Sequence, residues 1–313
     1  MAVFSENLFH ELFDFEQIES TITSTVRLAV KDPITLYLFF QRYSHFNGYA
    51  SAMISRLAST VGLSRYTFSN PELLVKEEAD RGMDIAAQIM SAAADEGANG
   101  TPVHRALSQF AVKTVGDYAE LNAEERNRFA QIPDWLKEVV RDVISTYEGK
   151  VDDEASMVKA MGFHLASEIL GDREYALLDM IVRHENQGIG FDRYLRQVAK
   201  PVSINGHRYA PWSWILIHSR YDGSGVEVEH SEFALSALNM AARYGSAHQK
   251  QVKAWAEDGF RAFIELQQRL FREIRLECLE LAQEKAVLSA KTATMPSKRL
   301  EAVKTNQINI LSC

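Results

Sequence analysis

Four separated segments of the sequence carry residues that together could hold a metal ion. The residues are three carboxylates and two imidazoles: Glu96, His104, Glu168, Glu227 and His230. This mixture suits iron or manganese, whereas zinc sites more often contain cysteine or a tighter group of histidines. Helical proteins build di-iron centres from inward-pointing glutamates and Glu/His pairs on neighbouring helices. The four segments together therefore predict a metal centre, although each alone has a simpler explanation.

The first pair, Glu96 and His104, flanks the chain break GANGTP. On an unbroken helix of 100° per residue, an eight-residue separation would leave the two side chains about 80° apart, so the break makes their convergence possible. The simpler explanation is a glycine-rich joint between two helices. Its acid would then lie at a helix C-terminus, where the macrodipole disfavours it, and its histidine would be solvated.

The second pair, His164 and Glu168, is spaced i, i+4 in GFHLASEILG and shares one helix face. Glu168 is surrounded by apolar residues, which predicts that it points toward the core. His164 is then a candidate for a partner that orients Glu168 without binding the metal itself. The simpler explanation is a surface His–Glu pair at the edge of the apolar stripe.

The last pair, Glu227 and His230, is spaced i, i+3 in GVEVEHSEFALSAL, which reads as the start of a helix. The simpler explanation here is specific. Ser224 and Glu227 fit the capping-box pattern S-x-x-E, in which the glutamate bonds back to the amide of the cap residue. His230 would then be a hydrogen-bonded histidine of the core.

Long helices must position these residues. The chain has only seven prolines, and apolar residues recur between them at i, i+3, i+4 and i+7, which predicts an all-α bundle of about seven helices. Asp32 and Thr101 each precede a proline and are predicted N-caps. The predicted helices cover about 32–62, 71–95, 101–121, 134–151, 154–185, the segment of Glu227 and His230, and 248–291. An irregular insertion near 186–225 contains a candidate hairpin in SINGHRY. We expect one domain over 1–290 and a flexible tail over 291–313.

Composition excludes several classes of protein. The net charge of −8 and the pI near 5.7 argue against a nucleic-acid surface. No apolar run reaches the roughly 18–20 residues of a membrane span, and the acidic N-terminus does not fit a signal peptide. Two distant cysteines, Cys278 and Cys313, do not suggest a disulfide framework. We expect a cytoplasmic protein that acts on a small molecule, with no nucleic-acid or membrane partner.

At the segments quoted above, the sequence resembles the heme-oxygenase-like di-iron oxidases and oxygenases. This superfamily also contains CADD-like proteins and the metal-free TenA and PqqC enzymes. The resemblance covers roughly residues 33–245. It begins at YLFFQRYSHFNGYASAMISRLAS, and DEGANGTPVHRALSQF, GFHLASEILG and GVEVEHSEFALSAL are similar to the ligand-bearing segments. The resemblance implies a heme-oxygenase-like helical bundle. It implies as ligands Glu96, His104, Glu168, Glu227 in place of an aspartate, and His230.

One departure from the family pattern concerns the last segment, which in the family usually reads His-x3-Asp-x2-His. Its first histidine falls on Gly223 here, so that one expected imidazole is absent. Asp222 or His218 could substitute from the loop, water could complete the coordination sphere, or one of the two iron sites could be weak.

The resemblance implies a non-heme di-iron oxidase or oxygenase. Two Fe(II) ions and O2 as co-substrate would oxidise a small organic, amino-acid-like or fatty-acid-like substrate. An alternative is a metal-independent TenA-like or PqqC-like enzyme in which Glu168, His164 and His230 transfer protons. The absent histidine favours this alternative, but three converging carboxylates disfavour it, because they repel one another without a cation.

A third hypothesis is a non-catalytic helical binding protein. The C-terminal helix carries an apolar stripe at helical spacing: Phe260, Phe263, Leu266, Leu270 and Ile274. Such a stripe is typical either of a chain's own core or of a homodimer face. A homodimer is therefore one partner that the sequence allows.

Overall fold

The structure is a computed structural model that describes residues 3–96, 103–219 and 227–293; for residues 95–96, 227–228 and 288–293 it describes the backbone alone. These ranges contain fourteen α-helices, one π-helix and one β-hairpin. The first seven helices are α1 (Glu6–Leu12), α2 (Phe15–Ala29), α3 (Pro33–Asn47), α4 (Ala50–Leu63), α5 (Lys76–Ala79), α6 (Gly82–Glu96) and α7 (His104–Tyr118). The other seven are α8 (Ala123–Phe129), α9 (Asp134–Glu148), α10 (Glu154–Asp179), α11 (Gly190–Gln197), α12 (Ser213–His218), α13 (Glu227–Tyr244) and α14 (Gln249–Ala293). The π-helix (Met180–His184) continues α10, and the hairpin consists of β1 (Val202–Ile204) and β2 (His207–Tyr209).

Helix α10 is the central element of the bundle. It packs against α2, α4, α9, α12, α13 and α14, and buried residues occur on all of its sides. A helix that is surrounded in this way has no single apolar stripe, since every face meets another element. The predicted all-α bundle is confirmed, and α10 is the helix that carries His164 and Glu168.

A close contact between α10 and α14 depends on two glycines. A Cβ atom on Gly259 would overlap the carbonyl oxygen of Lys159 and lie 2.8 Å from the backbone nitrogen of Phe163. A Cβ atom on Gly162 would lie 2.8 Å from the Cα of Ala256. The two backbones therefore approach more closely than any side chain larger than hydrogen permits.

The predicted helix start at Asp32 is confirmed. Its carboxylate accepts hydrogen bonds from the backbone amides of Ile34 at 2.9 Å and Thr35 at 3.2 Å, with Pro33 at the first helical position. The helix predicted over 32–62 is interrupted after Asn47, however, and continues as α4 from Ala50. The number of helices therefore exceeds the predicted seven, in part because long predicted helices are divided.

Several predicted boundaries were wrong. The helix expected from residue 71 begins at Gly82, because the preceding chain forms a loop closed by the Ser69–Asp80 β-bridge, with only the short α5 inside it. Helix α7 begins at His104 with Val103 at its N-cap, and the expected cap Thr101 lies outside the described residues. Helices α1, α2, α8, α11 and α12 were not predicted.

The predicted hairpin is confirmed within the otherwise irregular segment. Val202 pairs with Tyr209 in an antiparallel register, and the two turn residues Asn205 and Gly206 have positive φ angles of 52° and 84°. Asn-Gly is the sequence that favours such a two-residue turn. The segment is tied to α10 through Trp212, whose indole Nε1 donates a 2.7 Å hydrogen bond to the buried carboxylate of Asp179.

The apolar stripe of α14 packs into the chain's own core. Phe260, Leu270 and Ile274 are fully buried, and Phe263 is nearly so. A homodimer stays a prediction, as does the division into a domain over 1–290 and a flexible tail. Within the three described ranges, no helix combines the length and the apolar character that a membrane crossing requires.

Candidate functional site

A small buried cavity of about 70 Å³ lies beside α10. Glu168, Gly171, Glu174 and Tyr175 line it from α10, at the spacing of three to four residues that places side chains on one helix face. Apolar side chains from four other helices form much of the remaining wall: Phe46, Met53, Ile54, Val143 and Phe263. The volume is well below the roughly 150 Å³ of an apolar cavity that admits benzene, so that the space suits a diatomic gas and a small organic group.

Glu168 lies between two imidazoles at the wall of this cavity. Its Oε1 is 3.1 Å from Nδ1 of His164, and its Oε2 is 3.4 Å from Nδ1 of His230. All three side chains are at least 93% buried. Burial raises the pKa of the Glu168 carboxyl, but the hydrogen bonds and positive charge of the two histidines outweigh it and hold the pKa well below the ordinary value. The interior therefore contains an ionised carboxylate, which requires compensating charge around it.

His104, the first residue of α7, reaches the same cavity and pairs with His218 from α12. Nε2 of His218 is 2.9 Å from Nδ1 of His104, and Nδ1 of His218 is 2.6 Å from the backbone carbonyl of Trp214. Because a carbonyl only accepts, Nδ1 of His218 donates to it, and in neutral His218 Nε2 is then the acceptor. Nδ1 of His104 therefore donates to a neutral His218. Metal-binding histidines are commonly fixed in this way by a partner at the other ring nitrogen.

The carboxylate and imidazole side chains at this site are of the kinds that bind iron. Nε2 of His164, a residue outside the predicted ligand set, is buried and has no hydrogen-bond partner among the described residues, so it provides an additional polar atom close to Glu168. Glu168, His104 and His230 add a carboxylate and two more imidazoles from three different helices. Nevertheless, no three His, Cys, Asp or Glu side chains of the described residues gather around one metal position.

Two of the predicted ligands, Glu96 and Glu227, lie at the ends of the described ranges. Glu96 is the last residue of α6, and Glu227 is the first residue of α13; their side chains lie outside the described residues. Gly223, the expected cap Ser224, and the possible substitute Asp222 also lie outside them. Helix α13 packs against both α6 and α10, so that the helices bearing Glu96, Glu168 and Glu227 are neighbours. The assignment of all five residues as ligands stays a prediction.

A second acidic group at the cavity was missed by the sequence reasoning. Glu174 is buried, and its Oε2 accepts a 2.5 Å hydrogen bond from Nε2 of Gln267. Burial raises its pKa from 4.5 to about 7, although hydrogen bonding from Tyr43 and Gln267 acts in the opposite direction. The carboxyl therefore exchanges its proton near neutral pH, as a general acid or base requires.

Replacement of Glu174 by glutamine should change how stability depends on pH. Between pH 4.5 and 7 the folded protein keeps a proton on Glu174 that the unfolded chain releases, so the free energy of unfolding falls as pH rises. This loss amounts to about 3 kcal/mol, and it is complete above pH 7. Glu174→Gln stays neutral, and its stability relative to the wild type should rise over the same window. Denaturant unfolding at several pH values measures this.

The control is Glu265→Gln, which makes the same change at an exposed position on α14. Parallel pH profiles of stability for Glu174→Gln and the wild type would contradict the expectation.

Comparison with known proteins provides evidence on the fold. No family model matches the sequence, and no curated protein matches it. The chain is similar to the crystal structure of a CADD-like protein of unknown function from Nostoc punctiforme PCC 73102. The TM-score is 0.51 at 13% sequence identity, and the match covers 83% of this chain and 88% of that one. At this identity the likeness concerns the fold alone. The protein therefore has an all-α fold similar to that of this CADD-like protein.

Proposed function

We propose that the protein is a non-heme di-iron oxidase or oxygenase that uses O2 to oxidise a small organic substrate. The observation that carries the proposal is Glu168, a buried carboxyl held between His164 and His230 at the wall of the cavity. His104, Glu168 and His230, together with Glu96 and Glu227, would hold two Fe(II) ions. Iron bound there would supply the electrons and the open coordination positions that the reduction of O2 requires.

The chain's own residues prepare the site for this chemistry. His218 holds the ring of His104 in place through their 2.9 Å hydrogen bond. His164 orients Glu168 from one turn away on α10. Phe46, Ile54 and the other apolar walls exclude water, which protects a reactive species and strengthens the electrostatic interactions inside the cavity.

Anaerobic titration with Fe(II), followed by addition of O2, tests the proposal. We expect saturable binding of up to two iron ions per chain, measured by equilibrium dialysis with metal analysis. We then expect the iron-loaded protein to consume O2 faster than free Fe(II) in an oxygen-electrode experiment. Zinc serves as the comparison metal, because it has no redox chemistry and should not support O2 consumption at the same site. Absence of saturable iron binding, or O2 uptake no faster than that of free iron, would reject the proposal.

A metal-independent acid–base enzyme is the second candidate, and Glu174 is the observation that favours it. A carboxyl with a pKa of about 7 at the wall of the cavity can both donate and accept a proton at neutral pH. Metal analysis of protein produced in iron-rich medium separates the candidates. Iron retained at a fixed ratio to protein supports the oxidase, whereas iron-free protein that also fails to bind added Fe(II) supports the acid–base enzyme.

A further inference from the structure

We infer that Arg105 binds the carboxylate of the substrate, and that the substrate is a small organic acid whose reacting end enters the buried cavity. The inference deepens the proposed function, because it assigns a chemical class to the substrate of that site. It depends on a second space in the structure, an outer groove of about 300 Å³ lined by Gln41, Ser44, His45, Tyr49, Arg105 and Gln109 among others.

Arg105 is the residue that the two spaces share. It lines the buried cavity together with the neighbouring His104, and it also lines the outer groove. Ser108 of the cavity and Ser44 of the groove meet through a 3.1 Å hydrogen bond between their hydroxyl groups, so the two spaces adjoin along the α3–α7 contact. A molecule held by Arg105 would therefore have one part in the groove and one part in the cavity.

The charge around Arg105 favours an anion. Its guanidinium lies 5.8 Å from the centre of the Tyr49 ring, and no described acidic side chain forms an ion pair with it. None of the residues that line the groove is Asp or Glu. Burial, together with the positive charge of Arg105 and Arg42, lowers the pKa of His45, which also lines the groove. A positive groove on a chain with a net charge of −8 attracts anions locally and repels a substrate cation.

The guanidinium group also matches a carboxylate in shape. Its donors form a planar fork that pairs with both carboxylate oxygens at once, and such charge-assisted bonds are stronger than neutral ones. Ser44, Gln41 and Gln109 provide additional polar groups in the same groove. Since no acidic residue of the groove could bind an ammonium group, a simple carboxylic acid fits the groove better than an amino acid does.

Calorimetric titration of the full chain with defined carboxylates tests the inference. The probes are butanoate, hexanoate, octanoate and phenylacetate, with hexanamide as the neutral analogue and hexyl phosphate as an alternative anion. We expect at least one carboxylate to bind, and hexanamide to bind at least about tenfold more weakly than hexanoate. Arg105→Gln should weaken carboxylate binding by about 10- to 100-fold, the loss expected for a charged hydrogen-bonded pair. Arg105→Lys should restore part of the binding.

The control variant is Arg272→Gln, which removes the same charge from an exposed position on α14 and should bind as the wild type does. Circular dichroism should show that both variants are folded, since Arg105 is itself exposed. Any of four results would overturn the inference: no carboxylate binding at millimolar concentration, unchanged binding by Arg105→Gln, equal binding of hexanamide and hexanoate, or tighter binding of hexyl phosphate than of every carboxylate.

The titration is performed on both iron-free and anaerobically iron-loaded protein. If iron binds and O2 is consumed but Arg105→Gln binds carboxylates normally, the assignment of the substrate class is wrong and the proposed function stands. If carboxylates bind through Arg105 but iron does not bind, the proposed function is wrong and the anion site stands.

Discussion

Replacement of Glu168 by glutamine is expected to reduce the affinity for Fe(II) by at least about 100-fold and to abolish iron-dependent O2 consumption. Loss of an outer-shell partner already costs about 10- to 100-fold in metal affinity, and loss of a charged ligand should cost more. The side chain keeps its size, but the carboxylate that would hold iron in the proposed centre is replaced by a neutral amide. Anaerobic equilibrium dialysis and an oxygen electrode measure the two effects.

The matched control for this experiment is Glu229→Gln. Glu229 precedes His230 on α13 and is exposed, so the substitution makes the same chemical change one residue from the site. Its iron binding should equal that of the wild type. Far-ultraviolet circular dichroism should show unchanged helix content in both variants. Wild-type iron stoichiometry and O2 uptake in Glu168→Gln would remove this residue from the proposed centre.

Substitution of Gly259 by alanine is expected to destabilise the protein by about 3 kcal/mol, near the upper end of the cost of overpacking a core. The added Cβ would overlap the Lys159 carbonyl oxygen and lie 2.8 Å from the Phe163 nitrogen, and both of these atoms belong to the backbone of α10. Backbone atoms cannot move away as a flexible side chain can. The two helices must therefore separate along their contact, which also loses packing around Phe163 and Ala256.

Gly171→Ala is the control, because it makes the same substitution within α10 where no atom lies within 4 Å of the new Cβ. Alanine is favoured over glycine inside a helix by about 0.5–1 kcal/mol, so this variant should be more stable than the wild type. Denaturant midpoints provide the comparison. Equal midpoints for Gly259→Ala and the wild type would mean that α14 shifts without a penalty, and the close contact would not be a determinant of the fold.

Local chemistry made part of the fold predictable. The Asp32–Pro33 helix start and the Asn205–Gly206 turn each depend on a few neighbouring residues, and both are present. The loop between Ser69 and Asp80 was predicted as helix, because its closure depends on a bridge between residues that no short-range pattern connects. The division of the first long predicted helix falls at Gly48, the C-cap of α3, which is a local signal that the prediction did not use.

The candidate site was predictable where residue type and helical spacing coincide. His164 and Glu168 are an i, i+4 pair, and the structure places them 3.1 Å apart. Glu174 lies six residues beyond Glu168, about 120° around the helix, so the i, i+3 and i, i+4 spacings that indicate a shared face did not select it. Arg105 could not be singled out from the sequence, since an arginine in a first helical turn resembles any surface cation. Its position between two spaces arises only when α3 and α7 pack together.

Helix α10 contributes three different structural features. Along one stretch it supplies the glycine that fixes its distance from α14, the carboxylate of the proposed centre, and the bare backbone at Gly171 that leaves the cavity open. A rotation of this helix by a single residue step, about 100°, would move all of these features away from their partners together. Redesign of this helix for greater rigidity should therefore disturb the geometry of the proposed centre, whereas changes in a peripheral helix such as α8 should not.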